Sequence, residues 1–286
     1  QSQVVFGHVG NSATTFPLQS LGHEVWAVPT AILSNHAGYA DFGGQVTPQE
    51  TLADLLRGLE RRGAFSDCDL IVSGYLGSAA LAAVVTDTVD RVRAANPDMM
   101  YCCDPVMGDD GPGLYVDPAL PEYFITAALP AADIATPNLF ELEVLCGLEA
   151  GVLKAASVGD ILVAGRKLLA HMRSGASVMV TSADHRDLDP TRMAVLSFND
   201  SEAWCVETPR LDFPSEPHGA GDLMSSVFAA AVTGHRGLAR ALEDSVATVF
   251  AILTETRRRG DDELALVAAR DVTISPEQHF SARSIG

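Results

Sequence analysis

Short apolar runs alternate with amphipathic stretches through the first two-thirds of the chain. That rhythm restricts the possible folds more than any other feature. Residues 4–6, 24–28, 69–73, 99–103, 134–136 and 177–181 read as short buried strands. Helical patterns lie between them. Leu52, Leu55, Leu56 and Leu59 share one face at i, i+3, i+4, i+7 spacing, and Val158, Ile161, Leu162, Leu168, Leu169 and Met172 follow nearly the same rule. Strands that alternate with helices pair in parallel, because each return crossing needs a helix, and the helices then cover both faces of the sheet. After Thr181 the pattern changes. Residues 193–198 and 204–207 read as an antiparallel pair turning at Asn199-Asp200, and two long helices follow over roughly 220–233 and 236–258. No repeat or interdomain linker is visible, so one α/β domain over residues 1–286 is expected, with Asp109-Asp110-Gly111-Pro112-Gly113 as its most flexible segment.

Charge narrows the partners. The formal net charge is −18, which repels nucleic-acid backbones and anionic lipid and makes both poor partners. An acidic chain that binds a nucleotide must screen its phosphates locally, with a divalent metal or a helix N-terminus. The five cysteines, Cys68, Cys102, Cys103, Cys146 and Cys205, form no C-x-x-C and are odd in number, which points to a reducing, cytoplasmic compartment. The longest apolar runs, such as 246–253, are too short to span a bilayer. The sequence opens on Gln1 in what reads as a strand already under way. Residues upstream are therefore expected, and no signal peptide is visible.

Open α/β sheets bind ligands beyond the carboxyl ends of their strands. Ser73-Gly74-Tyr75, Asp104, Thr136-Pro137-Asn138 and Thr181-Ser182 all fall there. The sharpest motif is His218-Gly219-Ala220-Gly221-Asp222 at the start of a helix. Its glycines let the backbone approach a ligand, and the amides that follow point at an anion. An aspartate in such a turn can accept the proton of an attacking hydroxyl, or it can simply cap the helix. Asp104-Pro105-Val106-Met107-Gly108-Asp109 offers a carboxylate for Mg²⁺, although Asp-Pro also starts ordinary turns. Asn138 and Glu141 can reach one metal–phosphate cluster or form a capping box. Each motif alone is ambiguous; three carboxylates at successive strand ends beside a Gly-rich helix start are not easily explained by turns and caps. No G-x-G-x-x-G follows the first strand, which argues against a dinucleotide-dependent dehydrogenase.

Together these blocks resemble the ribokinase-like superfamily and, within it, the pyridoxal kinases. The likeness runs over nearly the whole length. Gln1-Ser2-Gln3-Val4-Val5, Gly10-Asn11, Phe16-Pro17-Leu18-Gln19, Ser34-Asn35-His36, Ser73-Gly74-Tyr75, Thr136-Pro137-Asn138, Gly219-Ala220-Gly221-Asp222 and Val267-Ala268-Ala269-Arg270-Asp271 carry it. The resemblance implies a three-layer α/β/α sandwich with a largely parallel central sheet and an antiparallel edge. It implies phosphorylation of the 5′-hydroxymethyl group of pyridoxal, pyridoxine or pyridoxamine by ATP with Mg²⁺, together with a monovalent cation, K⁺ or Na⁺, and a homodimer. Asp222 would be the base, with the amides of Gly219, Ala220 and Gly221 stabilising the transferring phosphoryl group. Ser2, Val9, Ala37 and Tyr75 would bind the acceptor. Asp104, Thr136, Asn138, Glu141, Thr181 and the run Thr208, Pro209, Arg210 and Leu211 would surround ATP, with Asp104, Asp109 and Glu141 on the metal. Residues 109–116 would form a lid.

The chain departs from the family pattern in three places. Ala37 replaces a threonine that often contacts substrate, which costs roughly 0.5–1.5 kcal/mol for one neutral hydrogen bond. Ala220 replaces a hydroxyl residue but keeps its amide. Leu114 stands where some members carry a reactive cysteine. The rival readings are a hydroxymethylpyrimidine kinase of the same superfamily and a non-catalytic B6 carrier, which would have no use for Asp222, Asp104 and Glu141. His36 is expected to be a structural hydrogen bonder, and the run Arg257-Arg258-Arg259 a solvated helix end.

Overall fold

A computed structural model describes every residue of the chain except Glu216 and His235. β1 (Ser2–Val4), β2 (Ala31–Leu33) and β3 (Gly44–Val46) form a small sheet in that order, with β1 and β2 parallel and β3 antiparallel to β2. Further along come β4 (Leu70–Ser73), β5 (Met100–Cys103), the short antiparallel pair β6 (Gly108–Asp109) and β7 (Gly113–Leu114), β8 (Ile134–Ala135), β9 (Ser177–Val180), β10 (Arg192–Phe198), β11 (Ala203–Pro209) and β12 (Arg283–Ser284). The main sheet has the order β12-β11-β10-β9-β8-β5-β4. Its β4, β5, β8 and β9 are parallel, and β10, β11 and β12 add an antiparallel edge, as the sequence rhythm implies.

The helices are α1 (Asn11–Ser20), α2 (Gln49–Arg61), α3 (Ala79–Ala95), α4 (Leu120–Tyr123), α5 (Leu129–Ala131), α6 (Leu139–Leu145), α7 (Val158–Leu169), α8 (Ala220–Thr233), α9 (Leu238–Arg259) and α10 (Arg270–Ile274). They lie on both faces of the sheet because successive strand residues point to opposite sides. Cys103, Ala135 and Val178 join the core under α3 and α7, whereas their neighbours Cys102, Ile134 and Met179 join the core under α1, α8 and α9. This is a three-layer α/β/α arrangement with no side of the sheet left wet. Gly165 brings α7 close to the sheet, since a Cβ there would lie 2.1 Å from the Phe198 ring. The arginine run ends α9 before Gly260, which caps the helix with φ of 70°.

Two sequence expectations need correction. The first strand is Ser2–Val4 and not 4–6, although the amides of Val5 and Phe6 still donate to Leu33 and Ser34. Residues 24–28 form no strand. Pairing with the first strand begins at Thr30, whose amide donates to the Gln1 carbonyl, and β2 starts at Ala31. The segment expected to form a lid is built as a two-strand hairpin, with Gly108 opposite Leu114 and Asp109 opposite Gly113.

Candidate functional site

Register places the chemistry. Ser73 of β4 pairs with Cys103 of β5, and Cys103 pairs with Ala135 of β8, so these three stand in one row. The residues that follow, Gly74-Tyr75, Asp104 and Thr136, leave the sheet at one edge, and Thr181 leaves β9 beside them to bridge Asn138. Backbone bonds hold the row: the amides of Asp104, Thr136 and Thr181 donate to the carbonyls of Ser73, Cys103 and Pro137 at 3.0, 3.1 and 3.1 Å.

Asp104 and Glu141 are both about 4% exposed, and each has a different anchor. Asn138 and Glu141 form the reciprocal capping box at the start of α6. The same Glu141 carboxylate accepts from the Met107 amide at 3.1 Å and the Asn138 amide at 2.9 Å, while the Asn138 side chain donates to the Gly108 carbonyl at 3.0 Å. The helix cap and the root of the lid therefore share one carboxylate. Burial pushes the Glu141 carboxyl up to about 8 against the pull of these amides. Asp104 is raised well above the carboxylate range by burial and by the charges of Glu141 and Asp222, with the Ser225 hydroxyl opposing. The phenol of Tyr115, at the end of the lid, is also raised, by burial and by the field of Glu141, Asp109, Asp222 and Asp104.

Asp222 sits in the first turn of α8 and accepts from the Gly10 amide at 2.9 Å. Burial raises its carboxyl, and that amide opposes the shift. Gly10 in turn lies on Ser2: a Cβ there would be 2.3 Å from the Ser2 carbonyl oxygen and 2.6 Å from its hydroxyl. Ser2, Gly10 and Asp222 are thus consecutive in space although far apart in sequence. Gly219, with φ of 85°, opens α8, and no side chain caps that end. Its first amides are free to meet an anion.

The other expected residues fall around this centre. Val9 and Tyr75 are partly buried, and the Thr30 hydroxyl donates to the Tyr75 carbonyl. Ala37 is exposed next to His36. Thr208, Pro209, Arg210 and Leu211 run from the end of β11, where the Arg210 guanidinium is committed to Asp184 at 2.7 Å, so backbone and not charge is what this stretch presents. The Thr136 side chain is buried beside Asp104 and Cys102. Ser225 was not singled out from sequence; its position three residues after Asp222, on the same helical face, is the signal that could have found it.

Among the described residues, no three His, Cys, Asp or Glu side chains converge tightly enough to hold a metal ion by themselves. The donor set nevertheless suits Mg²⁺, which keeps several waters and shares its coordination between one or two carboxylates and substrate phosphates. Asp104 and Glu141, whose charged forms burial disfavours, are what a bound cation would stabilise.

Comparison with known proteins agrees with this geometry. The family model for phosphomethylpyrimidine kinase matches residues 45–264. The chain is 43% identical to pyridoxal kinase PdxY of Rubrobacter xylanophilus, over 100% of this chain and 96% of that one, and 39% identical to pyridoxal kinase PdxY of Deinococcus radiodurans, over 100% and 95%. Its fold superposes on a pyridoxal kinase from Leishmania donovani in complex with ADP and ginkgotoxin with a TM-score of 0.90 and 27% identity, covering 100% of this chain and 98% of that one. Fold and site together define a phosphotransferase of the ribokinase-like class, acting on an alcohol group. Within that class, the chain belongs to the pyridoxal kinase family.

Proposed function

We propose that the protein transfers the γ-phosphate of ATP to the 5′-hydroxymethyl group of pyridoxal. The observation that carries this reading is the placement of Asp222, fixed by the Gly10 amide beside Ser2, at the uncapped start of α8 and facing the Asp104–Glu141 crevice. Asp222 takes the proton of the hydroxyl as its oxygen attacks the γ-phosphorus, and the bond from that phosphorus to the bridging oxygen of ADP breaks. The amides of Gly219, Ala220 and Gly221 stabilise the charge on the equatorial oxygens. Ser2, Val9, Ala37 and Tyr75 line the acceptor side. Thr136, Asn138, Thr181 and the stretch from Thr208 to Leu211 line the nucleotide side. Asp104 and Glu141, with Asp109, would hold Mg²⁺, whose positive charge would offset that of the phosphates. Closing the β6–β7 hairpin keeps water from the reacting centre.

Neighbouring structures described as pyridoxal kinases in complex with ADP and pyridoxamine or with ADP and pyridoxine support acceptance of all three vitamers, since each carries the same hydroxymethyl group. A monovalent cation, K⁺ or Na⁺, is proposed from the family resemblance alone. Five free thiols suit a cytoplasmic location. The homodimer is supported by apolar side chains left exposed in and around the small sheet, among them Val5, Phe6, Ile32 and Phe42.

The test is ATP turnover with Mg²⁺ and pyridoxal, set against hydroxymethylpyrimidine and against no acceptor. Pyridoxal phosphate formed in step with ADP supports the proposal. Tight pyridoxal binding without turnover points to a carrier, and preference for hydroxymethylpyrimidine to the rival kinase. Asp222→Asn should lower kcat by about 10²–10⁴, the usual worth of a positioned base, with the KM for pyridoxal changed only a few-fold. Unaltered kcat would remove Asp222 from the mechanism.

A further inference from the structure

Glu263 lies in an acidic run, Asp261-Asp262-Glu263, between α9 and α10, where a solvated surface position would be the simplest expectation. The structure places its carboxylate inward, only 14% exposed. It accepts three hydrogen bonds from two loops distant in sequence: the His8 amide at 2.9 Å, the His36 ring Nε2 at 2.9 Å and the Tyr39 hydroxyl at 2.8 Å. The carboxylate is itself well anchored. Leu264 and Leu266 beside it are about 1% exposed, and the Ala265 amide donates to the buried Thr256 hydroxyl at 2.9 Å. Burial alone would push the Glu263 carboxyl up. The bonds from Tyr39, the His8 amide and His36 outweigh burial and hold it below its ordinary value, as a charged acceptor.

Both clasped loops border the acceptor site. The His8 carbonyl abuts Gly219 so closely that a Cβ on that glycine would lie 1.9 Å away, and two residues after His8 the Gly10 amide holds Asp222. On the second loop, the Gly38 amide donates to His36 Nδ1 at 3.1 Å, so neutral His36 carries its proton on Nε2 and donates it to Glu263. That bond fixes the plane of a ring stacked 4.3 Å, centroid to centroid, from His218, the residue before Gly219. The neighbouring Gly7 has φ of 86°, and a Cβ on it would lie 2.6 Å from the carboxylate, so the loop is built to approach Glu263.

We propose that Glu263 is a positioning residue for the acceptor: it clamps the His8 and His36 loops against the start of α8 and so sets the shape of the pyridoxal pocket. The inference rests on the acceptor site assigned above. It predicts a selective effect, because the three hydrogen bonds that the Glu263 carboxylate accepts come from the His8 and His36 loops.

Glu263→Ala and Glu263→Gln, assayed with pyridoxal and ATP varied separately, test the proposal. Removing a charged acceptor of several bonds should raise the KM for pyridoxal roughly tenfold or more, with the KM for ATP within about twofold. Glu263→Gln keeps the shape and one acceptor oxygen, so it should fall between wild type and Glu263→Ala. Should Glu263→Ala fail to fold, the glutamine variant carries the same expectation at about threefold or more. An unchanged KM for pyridoxal, or equal rises for both substrates, would overturn the role of Glu263. Asp222→Asn is run alongside to separate the two ideas. If it keeps full turnover, the acceptor site is misplaced; if it is inactive while Glu263 variants bind pyridoxal normally, only the clamp fails.

Discussion

Glu141 closes the capping box of α6, pins the Met107 amide at the lid root and stands in the acidic crevice. The cost of that combination is electrostatic. Its carboxyl is pushed by burial from 4.5 to about 8, so between those values the folded chain holds a proton that the unfolded chain has released. Stability must then fall as pH rises through that window, the reverse of the usual behaviour of a salt-bridged carboxylate. Buried Asp104 and Asp222 are raised as well and act in the same direction. The ligand-free protein should therefore melt at a lower temperature at pH 8 than at pH 6. Glu141→Gln should flatten the difference, and MgATP should narrow it. A flat or rising melting temperature across this range would contradict the shift. At this scale the sequence offers the carboxylates but not their protonation, which depends on how much water the fold removes.

The start of α8 separates two kinds of glycine within a single turn. Gly219 needs its left-handed φ of 85° and has no room for a Cβ beside the His8 carbonyl. Gly221 has nothing within 4 Å of its missing Cβ and a helical conformation. Gly219→Ala should cost both stability and activity, since strain and a backbone clash act together. Gly221→Ala should keep or slightly raise the melting temperature, because alanine is better in a helix by up to about 1 kcal/mol. Its phosphoryl transfer should nonetheless fall, because the open space is where phosphate oxygens approach the amides. Thermal melts and kcat measured on the two variants check this pair. Full activity of Gly221→Ala would mean that no ligand atom comes near that turn. The motif was plain in sequence because glycine and aspartate at a helix start are rare without a reason. Which glycine faces backbone and which faces ligand is a matter of the β1–α1 loop lying against it.

On the scale of the whole molecule, two sheets meet at the site. In the proposed mechanism the strand ends of the main sheet serve the nucleotide, and Ser2 with the loops after β1 and β2 of the small sheet serves the acceptor. The small sheet leaves Val5 and Phe6 exposed by 85% and 61%, too much apolar surface in one region for a free face. A second copy of the chain covering it should make the protein a dimer in size-exclusion and sedimentation measurements. Phe6→Lys with Val5→Lys should shift the population to monomer. A wild-type chain that stays monomeric at micromolar concentration would rule out this use of the surface.

How much of this was legible beforehand follows from the range of each interaction. Period-two and 3.6-residue patterns are local, so the parallel strands, the antiparallel pair at β10 and β11, and helices α8 and α9 were readable to within a few residues. The differences lie at elements whose partners are elsewhere: residues 24–28 have strand composition, but the ladder with the first strand runs only from Thr30 onward. The segment from Asp109 read as loose, yet Gly108 closes a hairpin against Leu114. Among site residues, the sequence alone determined the chemical inventory: a Gly-rich helix start, carboxylates at successive strand ends, and the family these match. Only the tertiary structure decided which of them share a space, that Gly10 holds Asp222, and that Glu263 in an acidic surface run turns inward to accept from His8, His36 and Tyr39. Composition and spacing record what a residue can do; burial and a hydrogen-bond partner some 250 positions away, which no local pattern encodes, settle what it does.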